Sequence, residues 1–242
     1  MMPERVTITG ADDSVEPADL LALSRRFPSV EWGVLFSAKR QGTPRYPSRA
    51  WVERLADAVR ASSAPWVRFQ FSAHLCGRYV RDLCGGNYTW WHEHLLMVGL
   101  FSRVQLNFHG EPHSLAGRIM PMPWNYILQA DGQNDGWIRA LCAPSPDPDH
   151  RRQVFCPLFD RSAGAGLLPE TWPTAWPGVY SGYAGGLGPE NLATELPRIA
   201  EASGGWPYWI DMERRVRSDD DTVFDLGKVS AVLEAVRSYN QG

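Results

Sequence analysis

Residues 32–61 run Trp32-Gly33-Val34-Leu35-Phe36, then the loop Ser37–Pro47 (SAKRQGTPRYP), then Ser48–Ala61 (SRAWVERLADAVRA). The first five residues are almost all apolar, which is the composition of a strand buried on both faces. The loop is polar and rich in turn formers. The last fourteen place Trp51, Leu55 and Val59 four residues apart, along one face of a helix. Strand, loop and helix in this order predict one unit of a parallel α/β fold.

The same unit repeats outward in both directions. Upstream, Arg5–Ile8 reads as a strand, and Glu16–Phe27 as a helix with Leu20, Leu21 and Leu23 on its apolar side. Downstream, strands are expected at Trp66–Phe71, Arg103–Phe108, Tyr126–Gln129, Val154–Phe159, Gly178–Ala184 and Tyr208–Ile210. Pro157 predicts a strand end or bulge. Helical pieces are expected at Arg78–Leu83, Thr89–Val98 and Trp137–Cys142, with Gly85-Gly86 as a break and Ala143–Asp149 as a solvated connection. A helix from Pro189 to about Ala200 contains Pro197, which predicts a kink or an early stop. The last helix, Leu226–Tyr239, carries the stripe Val229, Val232, Leu233, Val236.

Eight strands alternating with crossovers predict a single (β/α)8 TIM barrel spanning residues 1–242. A doubly wound sheet competes, but Thr9-Gly10-Ala11-Asp12 lacks the Gly-rich turn expected after its first strand.

Composition narrows the partners. Of the 242 residues 44% are hydrophobic and 21% charged, enough apolar material for one large core. Lys+Arg total 24 against Asp+Glu 27, a net charge of −3 with no long run of either sign, so no nucleic-acid surface is expected. No apolar stretch approaches the roughly 20 residues of a bilayer span. Met1-Met2-Pro3-Glu4-Arg5 leads straight into a strand without a signal-peptide core. Cys76, Cys84, Cys142 and Cys156 have no C-x-x-C spacing, so free thiols and a cytoplasmic location are expected. The eleven tryptophans are first a packing feature.

A barrel of this kind builds its site at the carboxyl ends of the strands. The strand exits are Thr9, Ser37, His74, Asn107 with His109, Gln129 with Asp131, Asp160, Tyr183, and Asp211 with Glu213. Strand ends meet solvent and are often polar, but so many ionisable groups in one mouth each need a partner or a ligand. His74 is suited to acid–base work or a phosphate contact, or is a hydrogen-bonded structural histidine. Cys76 is a displaced base or an inert thiol. Trp90-Trp91-His92-Glu93-His94 offers histidines two residues apart, which face apart on a helix, so no metal is expected there. Gly185, Gly186 and Gly188, before a helix beginning near Pro189, suit either an anion site or a tight turn.

The segment Ala184–Leu196 (AGGLGPENLATEL) resembles the strand-seven signature of the phosphoribosylanthranilate isomerases. Four further segments resemble that family in the same order. They are Gly33–Phe36 with Thr43–Ser48; Val104–Asn107 with His109-Gly110-Glu111; Leu158-Phe159-Asp160 with Gly164-Ala165-Gly166; and Ile210-Asp211 through Phe224-Asp225-Leu226. The resemblance implies an aldose–ketose, Amadori-type isomerisation of a phosphorylated sugar in tryptophan biosynthesis, without metal or organic cofactor. It implies Asp160 as the general acid, Arg45 as an anion contact, and Gly185, Gly186 and Asn191 as the phosphate frame. Asp211 and Arg215 fall among the expected substrate contacts. The family's base is a cysteine at the end of strand one, and here that position is Thr9. A hydroxyl does not titrate near neutrality. His74, Asp131 and Cys76 are therefore candidate bases.

The small residues of the family's strand-eight loop are also replaced, by Glu213-Arg214-Arg215. Glu213 opposes a phosphate there, while Arg214 or Arg215 either grips an anion or is a solvated pair. A sugar-phosphate binder without isomerase activity is thus the second reading. A metal-dependent epimerase using His74, Asp160 and Asp211 is the third, though Phe36-Ser37-Ala38 supplies no ligand after strand two. The expected partner is a small phosphorylated sugar, and the expected assembly a monomer or homodimer.

Overall fold

The computed structural model describes residues 1–62, 69–87, 99–109, 125–143 and 155–241. Among them, eight parallel strands close into a barrel in sequence order. They are β1 (Arg5–Thr9), β2 (Val30–Ser37), β3 (Gln70–Cys76), β4 (Arg103–Asn107), β5 (Asn125–Ala130), β6 (Phe155–Phe159), β7 (Ser181–Ala184) and β8 (Tyr208–Met212). Closure is made by β1 on β8, with Thr7 opposite Asp211 and Ile8 opposite Met212. On its other edge β1 pairs with β2, where Thr9 faces Gly33.

The helices are α1 (Pro17–Arg26), α2 (Arg49–Ala61), α3 (Arg78–Cys84), α4 (Asp135–Cys142), α5 (Leu192–Ala202) and α6 (Leu226–Tyr239). Their starts follow local chemistry. Ser48 caps α2 by accepting from the Trp51 amide at 3.1 Å, and Asp225 caps α6 by accepting from the Gly227 and Lys228 amides. Pro17 opens α1, where its missing N–H is not needed. The buried faces of α2 and α6 are the stripes Trp51, Leu55, Val59 and Val229, Val232, Leu233, Val236.

Three expectations need correction. The third strand is Gln70–Cys76, later than Trp66–Phe71, and residues 66–68 lie outside the described residues. Phe71, Ala73 and Leu75 join the main core, while Ser72 and His74 alternate with them and bond each other at 2.9 Å. A polar inner face disguised the strand, because its alternation was not the usual apolar-in pattern. Pro157 lies inside β6, opposite Leu128, and the β6–β7 ladder begins only after it, at Leu158. Pro197 lies inside α5, which continues to Ala202. The expected pieces Thr89–Val98 and most of Ala143–Asp149 lie outside the described residues, as do His92, His94, Gly110 and Glu111.

The barrel interior is packed in two ways. Trp209 fills space opposite Gly182, where a Cβ would come within 2.2 Å of the indole. Beside it, the Arg103 guanidinium stacks 4.5 Å from the Trp209 ring and pairs with Glu31, which also accepts from Thr7 and Arg5. Burial opposes ionising Glu31, but the guanidinium groups of Arg103 and Arg5 overcome it and hold the carboxyl below its usual range. Three further tryptophans have their indole N–H groups satisfied: Trp32 on Ser24, Trp51 on the Val15 carbonyl, Trp172 on Glu195. Tyr183, expected in the mouth, is instead fully buried against Phe159, Trp172 and Tyr208. Among the described residues no helix is long and apolar enough to cross a membrane.

Candidate active site

The carboxyl ends of the strands open on a cavity of about 780 Å³. Thr9, His74, Gln105, Gln129, Asp160 and Asp211 line it from the strands and their exits. Among the described residues five arginines line it beyond the strands: Arg40 and Arg45 after β2, Arg81 on α3, and Arg214 and Arg215 after β8. Glu213 is the third carboxylate after Asp160 and Asp211, so among the described residues arginines outnumber carboxylates around the mouth.

β1 and β8 meet at this floor. The Thr9 hydroxyl donates to Asp211 Oδ1 at 3.0 Å, and Asp211 Oδ2 is buried with no hydrogen-bond partner among the described residues. Burial pushes the Asp211 carboxyl up to about 8, despite the Thr9 hydrogen bond; the charges of Glu31 and Asp160 add to the rise and Arg103 opposes it. Gly33 makes this arrangement possible. A Cβ there would lie 2.3 Å from Thr9 Oγ1 and 2.8 Å from the His74 ring.

His74 sits within β3 rather than beyond it, fully buried, with Nε2 on Ser72 Oγ. Burial drives its pKa down to about 3, so the ring is neutral and a weak base. Cys76, at the end of β3, accepts from Asn107 Nδ2 at 3.3 Å, and burial pushes its thiol up, away from the thiolate. Asp131 follows β5 and accepts from the amides of Gln133 and Asn134, with Oδ2 3.8 Å from His109 Nδ1. It does not line the cavity, although His109 does.

Asp160 is at the exit of β6, and its two oxygens are fully engaged. Oδ1 accepts from the Ser162 amide and hydroxyl, and Oδ2 from the Gly164 amide and Gln129 Nε2, at 2.7–3.1 Å. The carboxylate thereby shapes the loop after β6 while facing the mouth. The spacing Asp160-x-Ser162-x-Gly164 is the signal by which sequence reading could have found this turn.

The glycines after β7 have a packing role. A Cβ on Gly185 would meet the Leu167 carbonyl at 2.8 Å, and one on Gly186 the Leu168 amide nitrogen at 2.6 Å. Both have positive φ, 123° and 62°, and both line the cavity. Asn191 lies outside the cavity lining and braces the loop, accepting from the Gly188 amide and donating to the Gly186 carbonyl. Arg215 packs over Gly188 and pairs with Glu190. Arg45 has φ 76°, its amide donates to Asp12, and its guanidinium pairs with Glu213 and, at 3.5 Å, with Asp221. Its Nε is buried with no described partner. Arg214, beside Gly166, makes no side-chain ion pair among the described residues. Sequence reading did not single out Arg40 or Arg81, because a surface arginine carries no signal of which rim it will join.

Among the described residues, no group of three His, Cys, Asp or Glu side chains converges as a metal site requires.

No protein-family model and no curated protein matches the chain. Solved structures do. Phosphoribosylanthranilate isomerase from Thermotoga maritima is 16% identical, with a TM-score of 0.58 over 98% of this chain and 100% of that one. The Pyrococcus furiosus enzyme is 13% identical, with a TM-score of 0.52 over 98% and 100%. The Thermococcus kodakaraensis enzyme is 13% identical, with a TM-score of 0.50 over 97% and 99%. This likeness spans the whole barrel and is a likeness of fold.

Proposed function

We propose that the barrel binds a phosphorylated sugar in its mouth and catalyses an aldose–ketose, Amadori-type isomerisation. The observation that carries the reading is the group of five arginines that, among the described residues, lines the mouth beside β2, β3 and β8, over a floor holding Asp160 and Asp211. A cluster of cations favours an anionic ligand, and carboxylates beneath it suit proton transfer at the sugar carbons. Arg45 and Arg214 carry unengaged donors, and Gly185 and Gly186 expose backbone at the same rim. The likeness in fold and the resemblance of the strand-seven segment support the same substrate class. The reaction needs no cofactor, and the partner is the small molecule alone. A place in tryptophan biosynthesis, a cytoplasmic location and a monomeric or homodimeric state belong to this proposal.

Turnover of phosphoribosylanthranilate by the purified protein is the direct test. Absence of turnover, together with no thermal shift from any of a panel of sugar phosphates, rules the reading out.

One observation favours a second reading, a sugar-phosphate binder without isomerase activity. The position expected to hold a thiol base is a threonine whose hydroxyl is committed to Asp211. Binding of ribose 5-phosphate without turnover, and turnover created by Thr9→Cys, would establish it.

A further inference from the structure

The floor of the mouth holds two carboxyl groups in opposite conditions. Asp160 accepts four hydrogen bonds, two on each oxygen, and can take up a proton only by giving one of them up. Asp211 accepts one, from Thr9, and its Oδ2 is a buried oxygen with no described donor. A buried carboxylate oxygen without a donor is costly, and a proton on that oxygen removes the cost. The groups acting on Asp211 from other strands across the barrel are Thr9 on β1, Glu31 on β2, Arg103 on β4 and Asp160 after β6. Arg103, the cation among them, is already held by Glu31.

We infer that Asp211 is the proton-transferring residue of this site, acting first as acid and then as base, with Thr9 as its positioning residue. The inference rests on the reading of the mouth as a sugar isomerase. In the first step the proton on Asp211 Oδ2 passes to the ring oxygen of a glycosylamine. The C1–O bond breaks, its electron pair stays on that oxygen, and the nitrogen lone pair forms a C=N bond to C1. Asp211 is now a carboxylate beside C2. It takes the C2 proton; the C–H pair becomes a C1–C2 double bond and the C=N π pair returns to nitrogen. The product is an enolamine, Asp211 has recovered its proton, and no second base is consumed. The enolamine then tautomerises to the ketone. On this scheme a thiol at position 9 has no task, and a hydroxyl that fixes Oδ1 and leaves Oδ2 to carry the proton does.

The test combines an infrared measurement on the free protein with isotope exchange. Ligand-free protein at pH 7 should show the C=O band of a buried carboxylic acid that is absent in Asp211→Asn. With phosphoribosylanthranilate in D2O, Asp211→Asn should lose C2 hydrogen exchange by about a hundred- to ten-thousand-fold, the contribution of general acid–base catalysis. A cooperative thermal transition and a wild-type far-UV circular dichroism spectrum should show that the variant folds. Thr9→Val should lower exchange and move the alkaline fall in rate to higher pH, because the donor that favours the ionised form is gone. Thr9→Ser should restore both.

A carboxylic acid band that persists in Asp211→Asn, near wild-type exchange in that variant, or a Thr9→Ser that behaves as Thr9→Val overturns the inference alone. Failure of the wild-type protein to bind ribose 5-phosphate or turn over phosphoribosylanthranilate overturns the isomerase reading, and the inference with it. The infrared band is measured without substrate and separates the two failures.

Discussion

Thr9 and Asp211 are 202 residues apart and joined by a 3.0 Å hydrogen bond, where the first strand of the barrel closes on the last. The bond sits at the floor of the mouth, so the closure of the barrel lies within the candidate site. Substitutions there are expected to change stability and the proposed chemistry together.

Asp211 should make the barrel less stable as pH rises. Its carboxyl ionises at about 8 in the folded chain and near 3.8 when unfolded. Between those values the folded state holds a proton that the unfolded state has lost, so unfolding free energy falls as pH rises. Above about pH 8 the difference is constant. Urea unfolding at pH 5 and pH 8 should therefore show Asp211→Asn gaining on wild type with rising pH, on the order of 1.4 kcal/mol per unit of displaced pKa. A constant difference between the two proteins would contradict the raised ionisation.

Gly33→Ala should cost about 1–3 kcal/mol, the range of overpacked core sites. The added carbon meets Thr9 Oγ1 and the His74 ring, both far shorter than contact distance. The same variant should disturb the Thr9–Asp211 bond, so the proposed isomerase turnover should fall more than global stability accounts for. Unchanged urea midpoints would show that the ring and hydroxyl can move aside.

Glu31→Gln should destabilise the barrel by about 3–5 kcal/mol, because Arg103 would be left buried without its counter-charge. The double variant Glu31→Gln with Arg103→Met should recover much of that loss. Guanidinium unfolding of the three proteins reads this directly, and equal losses in single and double variants would deny the coupling.

Glu213→Gln should tighten binding of inorganic phosphate by about two- to fivefold, since a partly exposed ion pair is worth up to about 1 kcal/mol. The carboxylate now pairs with Arg45, whose guanidinium lines the mouth. Calorimetric titration at low ionic strength is the measurement. Unaltered affinity would mean that Arg45 does not contact the anion.

Much of the barrel was legible because strands buried on both faces and helices with one apolar face leave separate periodicities. The helix Leu226–Tyr239 has the same bounds in sequence reading and in structure. β3 was misplaced because its inner face is polar, with Ser72 and His74 satisfying each other inside the barrel. The site was legible as a set of strand exits but not as chemistry. Asp160 and Asp211 are the same residue type in similar positions along the chain. Nothing local shows that one will be held by four donors and the other by one.

The sequence by itself determined the alternation of strand and helix, the location of the mouth at the strand exits, and the polar residues that would crowd it. Tertiary structure alone decided which of those residues touch. Closure of β8 on β1 brings Thr9 to Asp211, and the missing side chain of Gly33 leaves the space in which His74 and Thr9 pack. Periodicity is a property of neighbouring residues, whereas desolvation and hydrogen bonding across a barrel depend on partners brought together from every strand.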